Sequence, residues 1–186
     1  MMKAYAQAVS KALELTEWTD VEGRRINSHT SFKELASTLK LQQMRNGENR
    51  KNKIMFIGNG GSAAIAEHMA TDYTKAGDMR AQAFNSGSLL TCLANDYSFE
   101  DVFLHIVRLY EDPGDVLIVI SSSGNSPDVL IGATAGKMAR CSVITLSGFS
   151  PDNPLRQLGY RNIYVPAQRY GTVEIAHYMI LHALLD

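Results

Sequence analysis

The sequence predicts an α/β fold: a three-layer sandwich with a central five-stranded parallel sheet, preceded by two N-terminal helices. Three observations point there. From residue 54 onward, short apolar runs alternate with longer stretches of helical pattern. The apolar runs lack apolar/polar alternation, as strands covered by helices on both faces do. The first three runs lead into small, polar, glycine-containing loops, which in such sheets form the ligand-binding edge. The 186 residues are expected to make one domain, with a helical pair over 1–50 and an α/β core over 51–186.

In chain order, residues 3–17 read as an amphipathic helix with Ala4, Ala8, Val9, Leu13 and Leu15 broadly on one side. A polar connector with Gly23, Arg24 and Arg25 follows. A second helix is expected over 32–44, opened by Thr30 or Ser31 with Glu34 as its capping-box partner. These two helices are expected to pack outside the main sheet and to offer an oligomer contact. The charged stretch 45–53 reads as a solvated loop. Strands are then expected at 54–57, 81–84, 116–121, 142–146 and 162–165. Helices are expected at 62–75, 89–94, 99–110, 127–138 and 171–185.

Composition narrows the function classes. The chain is 45% hydrophobic and 20% charged with a formal net charge of −1, so it lacks the basic excess of a nucleic-acid surface. Its two cysteines, Cys92 and Cys141, lie in apolar segments and are expected to be buried and reduced. The N-terminal residues lack the apolar core of a signal peptide, and no apolar run approaches the roughly 20 residues that span a bilayer. A cytoplasmic protein without a membrane or nucleic-acid partner is expected.

Chemistry gathers at the loops. After the first strand, Gly58-Asn59-Gly60-Gly61-Ser62 makes a tight turn into a helix, where unpaired N–H groups and the dipole can seat an anion. On that helix His68 and Asp72 are four residues apart and share a face. After the third strand, Ser121-Ser122-Ser123-Gly124-Asn125-Ser126 supplies hydroxyl donors ahead of a helix with Ser126 as N-cap, Pro127 at N1 and Asp128 in the first turn. By itself this is a well-capped hydrophilic turn; paired with the glycine turn it reads as phosphate binding. Asn95 and Asp96 end another helix and could reach substrate hydroxyls. On the last helix Glu174, Tyr178 and His182 recur every four residues in one stripe. His182 alone would be a helix-end surface residue, and His177, off the stripe, reads as structural.

Rival motifs fail on context. Gly58 to Ala63 satisfies G-x-G-x-x-A, but the next strand ends Ala83-Phe84-Asn85-Ser86 without the carboxylate a dinucleotide ribose needs. No Gly-Lys-Ser/Thr of a Walker loop is present, and the serine run lacks the setting of a nucleophile elbow.

Taken together, Gly58-Asn59-Gly60-Gly61-Ser62, the following His68 and Ser121 to Ser126 resemble the sugar isomerase (SIS) domain family, closest to its phosphoheptose isomerases. The resemblance extends over nearly the whole chain, including Leu93 to Phe99. It implies interconversion of sedoheptulose 7-phosphate and D-glycero-D-manno-heptose 7-phosphate, in heptose and surface-polysaccharide (lipopolysaccharide) biosynthesis. It also implies a homotetramer with active sites between subunits. Carried over, Asn59, Gly60, Gly61, Ser62, Asn95, Asp96, Ser121, Ser122, Ser123 and Ser126 would bind substrate, the serines around its phosphate.

Many family members hold zinc on a histidine and glutamate four apart and a glutamine and histidine eight apart. Here those positions are His68, Asp72, Glu174 and His182, so the spacings agree and two residue types differ. Two histidines and two carboxylates still suit zinc. Without a cation, one of two neighbouring carboxylates would take up a proton, so the variant set is expected to depend more on metal. The catalytic base is expected to be Asp72 or Glu174, with His182 as the acid. The alternatives are a non-catalytic SIS protein, binding a replication initiator or a regulatory phosphosugar, and an isomerase of a different phosphosugar. The retained His68 and His182, each with its carboxylate, favour an enzyme.

Overall fold

The structure, a computed structural model, describes residues 1–42 and 52–186. Its order is α1 (Met2–Glu14), β1 (Glu17–Thr19), α2 (Ser28–Lys40), β2 (Ile54–Gly58), α3 (Gly61–Lys75), β3 (Ala81–Ala83), α4 (Gly87–Asp96), α5 (Val102–Tyr110), β4 (Val116–Ser121), α6 (Pro127–Met138), β5 (Ser142–Ser147), β6 (Arg161–Tyr164) and α7 (Tyr170–Leu185). The sheet order is β1-β6-β5-β4-β2-β3, with β1 antiparallel to β6 and the other pairs parallel.

The five expected strands are the five parallel ones. The sixth, β1, lies where the first helix was expected to finish. Three residues are too few for a periodic signal, and pairing decides them: Trp18 stands opposite Ile163, and Trp18 and Thr19 are buried. Glu17 is held there by Arg156 Nη2 at 2.9 Å and Arg25 Nη2 at 2.5 Å.

Strand residues alternate between two apolar layers. Ile54, Phe56, Ile118 and Ile144 face α3 and α7, where Met69, Tyr73, Ala176 and Leu181 are buried. Met55, Ile57, Leu117 and Val143 face Phe103, Ile106, Val107 and Val129 on α5 and α6. The leading helices are less peripheral than expected, since Ala12, Leu35 and Leu39 join the first layer. The cap of α2 also differs: Asn27 Oδ1 accepts from Thr30 N at 3.0 Å, and Glu34 pairs with Arg161 at 3.0 Å instead of closing a capping box. An asparagine already extended (φ −66°, ψ 118°) in front of the helix leaves Thr30 and Ser31 inside it. The end of the second helix at 41–44 and the loop at 45–53 fall partly outside the described residues.

Cys141 is buried and burial pushes its thiol up to about 12, whereas Cys92 is exposed, against expectation. The reason is α4 itself: none of its residues is buried, and its leucines are only partly packed. An apolar sequence context does not bury a side chain when its helix lies on the rim.

Candidate active site

The parallel register brings the ends of β2 and β4 side by side, with Gly58 opposite Ile120. Gly58 must lack a side chain, because a Cβ there would lie 2.7 Å from the Ile120 carbonyl oxygen. Two helices therefore start close together, α3 from the glycine turn and α6 from the serine loop. Gly60 and Gly124 take φ of +54° and +62°, which L-residues with side chains disfavour.

Between the turns lies a cavity of about 360 Å³ lined by Asn59, Gly60, Gly61, Ser62, Ser121, Ser122, Ser123, Ser126, Tyr170 and Glu174. The sequence named all of these except Tyr170. Ser121 Oγ accepts Gly124 N at 3.1 Å and Ser123 Oγ accepts Asn125 N at 3.3 Å, which fixes both oxygens and leaves their protons to donate. Ser122 Oγ is buried without a partner, and the Ser126 side chain makes no cap bond to α6. No Lys or Arg is among the lining residues. The arrangement offers an anion neutral donors and helix N-termini.

Glu174 reaches this cavity from α7. A Cβ on Gly61 would collide with its carboxylate, so glycine at 61 is what lets the acid lie against the turn. Further along α3, His68 Nε2 lies 3.1 Å from Asp72 Oδ2, and His182 Nδ1 on α7 lies 3.8 Å from the same oxygen. The ligand atoms of His68, Asp72 and His182 all lie within 4.8 Å of one another. Two imidazoles and a carboxylate at that spacing can hold a divalent metal and leave a coordination position open. The chain thus gathers three of the four expected ligands, while Glu174 stands with the cavity residues. Tyr178 packs against both imidazoles, its ring edge-on to His68 at 5.1 Å and to His182 at 4.6 Å. Burial and the charge of Asp72 raise its phenol above the ordinary value.

A family profile described as SIS domain matches residues 34–148. The chain belongs to the SIS domain family. It is 39% identical over 142 residues to the phosphoheptose isomerase of Aromatoleum aromaticum, covering 72% of each chain. Against that of an Azoarcus species the identity is 37%, again over 142 residues and 72% of each chain. Among solved structures, the phosphoheptose isomerase of Neisseria gonorrhoeae matches with a TM-score of 0.78 and 30% identity, over 100% of this chain and 92% of that one. The corresponding enzyme of Francisella tularensis also gives 0.78, over the same shares, and at 21% identity attests to the fold alone.

Two of the expected substrate contacts of this SIS domain stand apart from its cavity. Asn95 and Asp96 lie exposed on α4, where the Asn95 amide donates to Asp96 at 3.0 Å. Tyr170, missed in the sequence, borders the cavity at the start of α7. Its ring packs edge-on against Phe149 at 4.8 Å, and Phe149 is itself held at φ +56°. The only sequence hint was an aromatic residue directly before Gly171 at a helix start.

His177 is structural, as expected. It is fully buried on α7, and its Nε2 donates to the Ser147 carbonyl at 3.0 Å. Burial, only partly opposed by that bond, lowers its pKa to about 4 from 6.5. The unfolded chain therefore binds the proton more readily between these values. The stability His177 contributes is complete above pH 6.5 and drains as pH falls towards 4, by on the order of 3 kcal/mol. Urea unfolding at stepped pH should show this slope, and a His177→Gln variant that folds should show less of it.

Proposed function

We propose that this SIS domain is a phosphoheptose isomerase, interconverting sedoheptulose 7-phosphate and D-glycero-D-manno-heptose 7-phosphate in the supply of heptose for surface polysaccharide. The observation carrying the reading is a carboxylate, Glu174, in the same cavity as a donor-rich serine loop, two helical turns along α7 from His182 of a two-histidine, one-carboxylate cluster. Relatives bearing that name at up to 39% identity support it.

In this reading the serine loop and the α6 N-terminus hold the phosphate, and the glycine turn lies along the sugar. The reaction moves a proton from C1 to C2 and exchanges the carbonyl between them through an enediol. Glu174 takes the C1 proton and returns it at C2, which requires a base within hydrogen-bond reach of the carbon acid. His182 transfers the proton between the two oxygens. Asp72, one methylene shorter than the family's glutamate and held between two imidazoles, serves as a ligand. Zinc on His68, Asp72 and His182 would supply an electrophile for the developing oxyanion.

The homotetramer belongs to the same proposal. Asn95 and Asp96, outside their own chain's cavity, would complete that of a second copy. An α4 with no buried residue and the exposed Tyr97 and Phe99 beside it support this. Light scattering coupled to size exclusion is expected to give four chains; a monomer with full activity would overturn it. Among the described residues no helix is long and apolar enough to cross a membrane.

The direct test is incubation with sedoheptulose 7-phosphate and a panel of other ketose phosphates, followed by NMR. Growth of heptose 7-phosphate signals is expected, and turnover of a different phosphosugar alone would overturn the assignment. A Ser122→Ala variant is expected to raise KM roughly ten- to hundredfold with little change in kcat, as loss of one hydrogen bond to a charged group predicts.

A further inference from the structure

Asp128 is used by none of the steps above, yet it is buried, 2% exposed, in the first turn of the helix that follows the serine loop. Its Oδ2 accepts the Asn59 side-chain amide at 2.7 Å, across 69 residues of sequence. We propose that Asp128 is a positioning residue that fixes the amide orientation of Asn59, so that Asn59 presents its carbonyl oxygen to the cavity and selects a substrate hydroxyl at that position.

Donors and acceptors fix the orientation of Asn59. A carboxylate has only acceptors to offer, so the group of Asn59 facing it must be the NH₂ end. An asparagine on a free turn could present either end to a ligand, because its two faces have nearly the same shape. With the nitrogen held by Asp128, the oxygen is the end left for the cavity that Asn59 lines. An acceptor there favours a hydroxyl, which donates, and disfavours a carbonyl, which cannot. The sugar chain would thus be read for a hydroxyl at one carbon, and a deoxy or keto analogue would leave that oxygen without its partner.

A second consequence follows from where the two residues sit. Asn59 belongs to the turn after β2 and Asp128 to the helix after β4, so their bond ties the sugar-facing turn to the phosphate-facing helix. Placing a negative side chain beside an anion site would by itself weaken phosphate binding, although the first helical turn tolerates the charge. The presence of Asp128 at that spot is accounted for by what it does to Asn59. It is not accounted for by phosphate recognition.

The inference rests on the phosphosugar reading of the cavity, and the experiment separates the two. Calorimetric titration of the full chain with inorganic phosphate and with sedoheptulose 7-phosphate is run beside the turnover assay. Asp128→Ser keeps a polar residue suited to a helix first turn but removes the acceptor from reach of Asn59; Asp128→Asn keeps an acceptor. For Asp128→Ser the affinity for sedoheptulose 7-phosphate is expected to fall about tenfold or more, while phosphate binds at least as tightly as in the parent. Asp128→Asn should regain most of the lost affinity. In an Asn59→Ala background, Asp128→Ser should have no further effect, since its action would run through Asn59.

Additive losses in the double variant, or an equal loss of phosphate affinity, would overturn the proposal. So would an Asp128→Asn variant as weak as Asp128→Ser, for then charge and not the acceptor matters. Should Asp128→Ser not fold, Asn59→Ala with the Asp128→Asn variant still decides: the first must lose sugar phosphate and keep phosphate, and the second must retain both. A parent chain that binds neither ligand would instead sink the phosphosugar reading itself.

Discussion

Glu174→Gln is expected to lower kcat by about 10²- to 10⁴-fold with KM changed little, the loss that follows removal of a general base. Glutamine keeps the length and hydrogen-bonding shape of the side chain, so the contact with the Gly61 turn survives and only the basic oxygen is lost. The expectation follows from position. Glu174 lines the cavity with Asn59 and the serines, whereas Asp72 is engaged with His68 at 3.1 Å and faces His182 at 3.8 Å. Steady-state kinetics on sedoheptulose 7-phosphate, with solvent exchange at C1 followed by NMR, would check it. Retained or improved turnover would transfer the role of base to Asp72. Glutamine is also what the family resemblance places at this position, so that outcome would mean that the chain works as the ordinary family set does.

His68→Ala and His182→Ala are each expected to abolish stoichiometric zinc in the purified protein, from about one ion per chain to none, because three protein ligands are already the minimum for such a centre. Activity should fall with it, by about 10³-fold or more for His182→Ala, which loses both ligand and acid. Elemental analysis reads the metal independently of turnover. Chelation of the parent should reproduce the His68→Ala phenotype, and added zinc should reverse it only in the parent. A metal-free parent with full activity would sink the metal reading. The prediction is sharpened by Asp72, whose short side chain reaches the imidazoles of both neighbours but leaves no further protein ligand close by among the described residues.

Much of this was legible in the residues. The central strands β2 and β4 announced themselves as unbroken apolar runs, and the five parallel strands fall at the expected places. The cavity lining was legible because close-packed turns admit few residue types: Gly58 under the Ile120 carbonyl, Gly60 and Gly124 at positive φ, and serines where donors are needed without side-chain bulk. The helix pairs His68 with Asp72 and Glu174 with His182 could be read from spacing, since residues four or eight apart share a helical face.

What spacing could not decide is where two separate helices meet. His68, Asp72 and His182 converge while Glu174 lies two turns away along α7 against Gly61, a division set by how α3 and α7 cross over the sheet. Short, marginal elements were equally out of reach. β1 exists because Trp18 and Thr19 pair with Ile163 and Asn162, and the exposure of Cys92 follows from α4 lying on the rim. The Asn59–Asp128 bond is of the same kind, joining residues 69 apart that only the registry of β2 beside β4 makes neighbours. Local sequence dictates the chemistry available: donors for an anion, a base, two imidazoles and their carboxylate. The tertiary structure decided which of these groups work together, because a local pattern specifies a face and only packing specifies what that face meets.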